Sequence, residues 1–258
     1  MSKEVLRCEN LGIVFGGLAA VDGFNISIKE KEVAGLIGPN GAGKTTVFNL
    51  LTKVYEPTSG KIFLNGESTE GQTTVSLSKA GIARTFQNIR LFNNLTVAEN
   101  VMVAMNQSMK YSLFESTFRL PRFWKEEKEA RAKALDLLSI FDMQDLADVQ
   151  ASSLPYGAQR RLEITRALAT NPSLLLLDEP AAGMNPAETA ELMENIGKIR
   201  DKFGIAILLI EHDMSLVMGV CDQITVLNFG QVIAHGTPAE IQSNPVVIEA
   251  YLGKKKEG

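Results

Sequence analysis

Cysteine is nearly absent: Cys8 and Cys221 are the only two in 258 residues, and neither sits in a paired or metal-type spacing. A disulfide framework and a zinc-type centre are therefore excluded, and a reducing compartment suits the chain. Long apolar runs are also lacking. The most apolar stretches, 174–177 and 205–210, fall far short of the roughly 18 residues that a membrane-spanning helix needs. Lys3, Glu4 and Arg7 interrupt the N-terminus before any apolar region could form, so no secretory signal is expected. Charge of one sign does not dominate either. With 26 Lys+Arg against 30 Asp+Glu, the net charge is -4, which leaves no global footprint for wrapping nucleic acid. What remains is 45% hydrophobic and 22% charged, an ordinary composition for a folded chain long enough to bury a substantial core. These features place the protein in the cytoplasm, with no nucleic-acid partner expected.

Residues 5–14 and 24–28 mix apolar and polar side chains with β-branched members, and Gly16-Gly17 separates them as a turn signal. An N-terminal β region is expected there. Val33-Ala34-Gly35-Leu36-Ile37 is a continuous apolar run, the pattern of a strand buried on both faces. A glycine-rich loop follows, then a helix from about 46 to 53. Further strands are expected at 61–64, 173–177, 205–210, 224–227 and 232–234, with helical patterns between several of them, so the core is α/β and mostly parallel. The middle differs in character. No strand pattern occurs from about 97 to 147, and 125–138 places apolar residues at helical spacing among many charges. The expected division is a core over 1–87 and 156–253, an inserted helical subdomain over 88–155, and a solvated basic tail over 254–258.

Gly38-Pro39-Asn40-Gly41-Ala42-Gly43-Lys44-Thr45 matches the phosphate-loop pattern in full and lies between a buried strand and a helix, the context that the pattern requires. Glycines let the backbone turn its N–H groups around phosphates, and the positive end of the next helix adds attraction. Lys44 would reach the β- and γ-phosphates, Thr45 would ligate Mg²⁺, and Thr46 would donate from the first turn. A loop that merely turned the chain would not need the Lys-Thr pair. Leu174-Leu175-Leu176-Leu177-Asp178-Glu179-Pro180 is a buried strand ending in two acids. At a strand's C-terminal edge, Asp178 can hold Mg²⁺ through water and Glu179 can face an attacking water. Together the loop and the acids predict binding and hydrolysis of a nucleoside triphosphate.

Three further segments join these in order: Arg84-Thr85-Phe86-Gln87-Asn88, Leu154-Pro155-Tyr156-Gly157-Ala158-Gln159-Arg160-Arg161, and Glu211-His212 after an apolar strand. Over nearly its whole length the chain now resembles the ATP-binding-cassette (ABC) ATPases, the nucleotide-binding subunits of ABC transporters. That resemblance implies a P-loop (RecA-like) core with an N-terminal antiparallel β region and a helical subdomain, ATP and Mg²⁺ as ligands, and a head-to-tail dimer. In such a dimer, ATP lies between the phosphate loop of one subunit and the signature segment of the other. Phe15, 23 positions before Gly38, matches the aromatic that stacks on adenine, although a phenylalanine near a turn also fills cores. Gln87 matches the glutamine that touches Mg²⁺ or the lytic water. His212 matches the histidine that approaches the γ-phosphate.

The signature segment departs from the usual Leu-Ser-Gly-Gly-Gln: Pro155 replaces the serine, Tyr156 the first glycine and Ala158 the glutamine. Contact with a partner's nucleotide then falls to Gly157 and the N–H groups of the following helix. Asn185 stands where the family commonly has aspartate, able to hydrogen-bond but without charge. With Arg90-Leu91-Phe92, Glu179-Pro180-Ala181-Ala182-Gly183-Met184-Asn185-Pro186 and Glu249-Ala250-Tyr251-Leu252-Gly253, these segments look most like the branched-chain amino acid importer ATPases. This implies two membrane permeases, a copy of this chain or a related ATPase as dimer partner, an external substrate-binding protein, and a place on the cytoplasmic face of the plasma membrane. A lipid or lipopolysaccharide exporter ATPase has a similar general pattern. A soluble ABC ATPase of ribosomes or DNA commonly carries two cassettes or a long coiled coil, and neither is present. A kinase or GTPase would give no reason for Gln87, the signature segment and His212 together, nor is an Asn-Lys-x-Asp motif visible.

Overall fold

The computed structural model describes residues 3–105, 118 and 120–252, so Gly253 and the predicted basic tail lie outside the described residues. In chain order the elements begin β1 (Glu4–Phe15), β2 (Leu18–Lys29), β3 (Val33–Ile37), α1 (Lys44–Leu51), β4 (Ser59–Leu64), β5 (Glu67–Ser68), α2 (Thr74–Ala80) and β6 (Ile82–Arg84). The described helices α3 (Val97–Met105), α4 (Pro121–Leu138) and α5 (Tyr156–Leu168) follow, with three short 3-10 turns between the last two. Then come β7 (Leu174–Asp178), α6 (Pro186–Phe203), β8 (Ala206–Ile210), α7 (Met214–Val220), β9 (Gln223–Asn228), β10 (Gln231–Gly236), α8 (Pro238–Ser243) and α9 (Pro245–Leu252).

The strands form two sheets. An antiparallel sheet has the order β2-β1-β4-β5, and a six-stranded sheet has the order β10-β9-β3-β8-β7-β6. In the larger one, β9, β3, β8, β7 and β6 run parallel and only β10 pairs antiparallel. Gly16 and Gly17 close the β1–β2 hairpin with φ of 53° and 89°, and Phe15 pairs with Leu18 across them. Two positive φ values in succession match the right-handed twist of the strands and favour glycine at both positions.

The apolar runs of the sequence are explained by the two cores. Leu174, Leu176 and Leu208 point to one face, where they meet α1 through Phe48 and the antiparallel sheet through Phe24 and Ile28. Leu175, Leu177, Ile207 and Leu209 point to the other, with Leu162, Ile196 and Leu216 of the covering helices. Strands buried on both faces carry apolar residues at every position, because side chains alternate between two dry layers. The helices are bounded by ordinary signals: Asn185 and Glu188 form a capping box at the start of α6, and Gly204 ends it at φ 66°.

Among the described residues between 88 and 155 the only β pairing is a bridge from Thr96 to Gln150, and α3, α4 and the short turns pack on the same core as α5. The expected strands all form, but two further ones, β5 and β6, were not legible. Ile82-Ala83-Arg84 is too short to show a period, and it joins the sheet by pairing with β7 alone. Helix α1 also starts earlier than expected, at Lys44.

Leu208 is fully buried in β8, whereas Val75 on α2 is 63% exposed. Leu208→Ala is therefore expected to lower unfolding stability by about 2–5 kcal/mol. Val75→Ala should change it by less than about 0.5 kcal/mol, and urea unfolding of the two variants reads the difference.

Candidate active site

The parallel strands deliver their functional residues to one edge. Leu36 of β3 and Asp178 of β7 both pair with Ile210 of β8, so the phosphate loop, the acidic pair and His212 leave the sheet at the same level. Gln87 reaches that edge three residues after Arg84, which pairs with Leu176.

Close packing dictates two of the three glycines of the loop, Gly38 and Gly43. Gly38 has φ 153°, and a Cβ there would lie 2.0 Å from the Leu227 carbonyl oxygen. Gly43 has φ 105°, and its Cβ would lie 2.7 Å from the Ala20 carbonyl oxygen. The Gly230 N–H donates to the Ala42 carbonyl at 2.9 Å, tying the loop to the β9–β10 turn. Helix α1 then begins with no side-chain cap and no acid in its first turn, so its N-terminal N–H groups and positive dipole remain available to an anion. Lys44 is buried and folds back on the loop, donating to the carbonyls of Gly38 at 2.7 Å and Pro39 at 3.0 Å. Burial lowers its pKa, while the Glu179 and Asp178 carboxylates oppose that shift.

Glu179 takes a left-handed backbone, φ 49°, at the end of β7, and its N–H donates to the Ile210 carbonyl at 2.9 Å. A non-glycine residue held there is costly, and such strain collects at functional sites. The turn aims its carboxylate between two partners. The Gln87 amide Nε2 donates to Oε2 at 2.9 Å, and His212 Nε2 lies 3.0 Å from Oε1. Asp178 is buried beside it, and Arg84 Nη2 donates to its Oδ2 at 2.8 Å.

A cavity of about 620 Å³ opens at this edge, lined by 40–46, Gln87, Glu179 and His212, with Leu18 and Phe229 at its walls. Asn40, Gly41, Ala42, Gly43, Lys44, Thr45 and Thr46 are thus brought together with the catalytic candidates. Phe15 and Asp178 do not line it. Phe15 is 44% exposed and sets its ring edge-on to Tyr55 at 5.2 Å. Phe229 is an aromatic that the sequence reading missed, 86% exposed at φ 45° in the β9–β10 turn. The available signal was the glycine after it.

Gly157 lies away from this cavity, in the first turn of α5, where Pro155 is the N-cap and supplies no side-chain bond. A Cβ at Gly157 would meet Glu188 Oε1 at 2.6 Å. Lower on the same helix, Arg160 is fully buried and donates to the Phe86 carbonyl at 2.5 Å, the Gln87 carbonyl at 2.8 Å and Glu163 Oε2 at 2.8 Å. Glu163 Oε1 in turn accepts from the Phe86 and Arg90 N–H groups, both at 3.3 Å. The helix that follows the signature segment therefore grips the loop that carries Gln87.

Comparison with known proteins agrees with this geometry. A family model described as ABC transporter matches residues 21–182, and one described as branched-chain amino acid ATP-binding cassette transporter matches 231–257. The chain is 47% identical to the high-affinity branched-chain amino acid transport ATP-binding protein BraF of Pseudomonas aeruginosa. It is 48% identical to the corresponding protein LivG of Escherichia coli K12, and in both cases 98% of this chain and 100% of the relative are covered. Among solved structures it is similar to the ADP conformation of MJ1267, an ATP-binding cassette of an ABC transporter. There the TM-score is 0.84 at 33% identity, covering 97% of this chain and 99% of the other. A phosphate loop, a strand-end carboxylate held by a glutamine and a histidine, and full-length similarity to such cassettes lead to one assignment: this chain belongs to the ABC transporter family, as one of its nucleotide-binding, ATP-hydrolysing subunits.

Proposed function

We propose that this subunit powers a branched-chain amino acid importer, hydrolysing ATP at the cavity of the phosphate loop. The observation that carries the catalytic reading is Glu179, held at the cavity between Gln87 and His212. The substrate class is supported by the full-length relatives and by the family model over 231–257, part of which lies outside the described residues.

In this reading the loop N–H groups and Lys44 hold the phosphates, with Lys44 exchanging its carbonyl partners for phosphate oxygens. Thr45, the Gln87 amide oxygen and the Asp178 oxygen not taken by Arg84 are hard oxygen donors that would hold Mg²⁺, which would neutralise phosphate charge. Glu179 polarises the attacking water, and His212 fixes that carboxylate and approaches the γ-phosphate. Phe15 offers its ring to adenine. Glu179→Gln should bind nucleotide normally while losing about two or more orders of magnitude in turnover, read by phosphate release. Wild-type turnover would remove Glu179 as the base.

Gly157 and the uncapped start of α5 would complete the site of a second subunit, either another copy or a related ATPase. Static light scattering of Glu179→Gln with ATP should then show a dimer that dissociates with ADP. Unchanged dimerisation and turnover in Gly157→Asp would defeat the shared site.

The chain reaches its substrate through partners, since no helix among the described residues is long and apolar enough to cross a membrane. The segment 88–155 would act as the docking unit for two permeases on the cytoplasmic face, with an external binding protein delivering the amino acid. Beside it a groove of about 470 Å³ is lined by Phe86, Arg90, Phe92, Val103 and Arg166. Leu91 packs against the core and so is a poor probe of docking. Phe92 is 47% exposed, with the Arg166 guanidinium 4.8 Å above its ring. Phe92→Asp is expected to uncouple leucine, isoleucine and valine uptake while leaving the isolated subunit's hydrolysis intact. Unchanged uptake in a strain lacking this protein and any redundant ATPase would overturn the importer reading.

A further inference from the structure

Glu211 is a buried carboxylate that the reading above leaves without a task. Only 4% of it is exposed, and no salt bridge reaches it among the described residues. Its Oε1 accepts from the Ala181 N–H at 2.7 Å, and its Oε2 accepts from the His212 N–H at 2.9 Å and more weakly from the Asp213 N–H at 3.4 Å. Ala181 belongs to the loop after β7, two residues past Glu179. His212 and Asp213 belong to the loop after β8. One carboxylate therefore spans two loops that are otherwise joined by the Glu179–His212 side-chain contact and by the bond from Glu179 N–H to the Ile210 carbonyl.

Three donors converging on two oxygens suit an acceptor without a proton of its own. An ionised carboxylate meets that need, and bonds from backbone N–H groups to a charged acceptor are the strong kind. Burial pushes the carboxyl pKa up, the three N–H groups pull it down and the nearby Glu179 charge adds to the rise, so that the net shift is upward. An unpaired carboxylate is retained in a dry site only when its hydrogen bonds offset the loss of water.

We infer that Glu211 is a positioning residue for ATP hydrolysis, setting the distance between Glu179 and His212 by holding the backbone of both loops. The inference rests on the roles proposed above for those two side chains. An amide at position 211 would turn its NH₂ against at least one of the three N–H donors, leaving one loop unheld, although its size is unchanged.

The test uses the full-length chain. Glu211→Gln should keep its thermal midpoint near wild type, keep KM for ATP and affinity for a fluorescent ADP, and lose about tenfold to a hundredfold in kcat, the scale of a small misplacement at a reacting centre. A second readout does not depend on turnover. His212 and His235 are the only histidines, so imidazole NMR of the nucleotide-free protein resolves them. The His212 signals should move in Glu211→Gln, while those of His235, which contacts Thr225 at 3.0 Å, should stay. A folded Glu211→Gln with wild-type kcat and unmoved His212 signals overturns the inference, as does a loss carried entirely by KM. Should that variant fail to fold, Glu211→Asp retains the charge but is one methylene too short to reach both loops. The same losses are expected of it, and wild-type values again overturn the proposal. Wild-type turnover by Glu179→Gln would remove the base assignment, yet the His212 signals would still judge Glu211.

Discussion

The common ending of β3, β8, β7 and β6 at one sheet edge is the constraint on which the site depends. Each strand is buried on both faces, so its apolar pattern alone would tolerate a shift along its neighbour. The ends do not tolerate it. Sliding β7 by one residue would either draw Asp178 deeper between apolar layers, at the cost of burying a charge away from Arg84, or pull Glu179 back from Gln87 and His212. Loop geometry adds a second lock. Because Gly38 and Gly43 lie against the Leu227 and Ala20 carbonyls, the phosphate loop is fitted to β9 and β2 as closely as to its own strand.

A second link joins the edge to the helices. Arg160 and Glu163 are buried together, a situation in which desolvation commonly cancels the attraction between two charges. Here the pair is also bonded to the backbone of Phe86, Gln87 and Arg90, so its lone pairs and protons are largely used. Removing either partner would leave the other buried and unpaired. The consequence is directional. In the proposed dimer, a displacement of α5 by the second subunit would be passed through Arg160 to the loop of Gln87, the residue that holds Glu179.

How much of this was legible follows from how each residue carries its signal. The phosphate loop could be read from residue types alone, since a Gly-rich loop with Lys-Thr has few other uses, whereas the acidic pair, like most strand-end acids, gains its meaning only beside that loop. Gln87 and His212 are ordinary polar residues, and only the family pattern singled them out; their convergence on Glu179 is a tertiary fact. Phe229 and Glu211 were missed for different reasons. An aromatic in a tight turn carries no period, and Glu211 beside His212 reads as one more strand-end acid until the Ala181 N–H is seen to point at it. β6 was lost because three residues cannot display an alternation, and β5 because it is two residues long.

The two departures from the family pattern act together. Asn185 Oδ1 accepts from the Ala187 and Glu188 N–H groups at 2.9 and 3.0 Å, and the Asn185 N–H donates to Glu188 Oε2 at 2.9 Å. An amide oxygen caps α6 as an aspartate would, without the charge. The same Glu188 carboxylate stands against Gly157, where any Cβ would collide with it. An aspartate at 185 would place a second negative charge close to that carboxylate, beside the helix start where a partner's phosphates would dock. Pro155 works in the same direction. A serine there would offer its hydroxyl to an N–H of the first turn, whereas proline leaves those groups free. In the proposed dimer, phosphate recognition at the start of α5 would therefore fall to backbone N–H groups, with no acid at position 185 to oppose it.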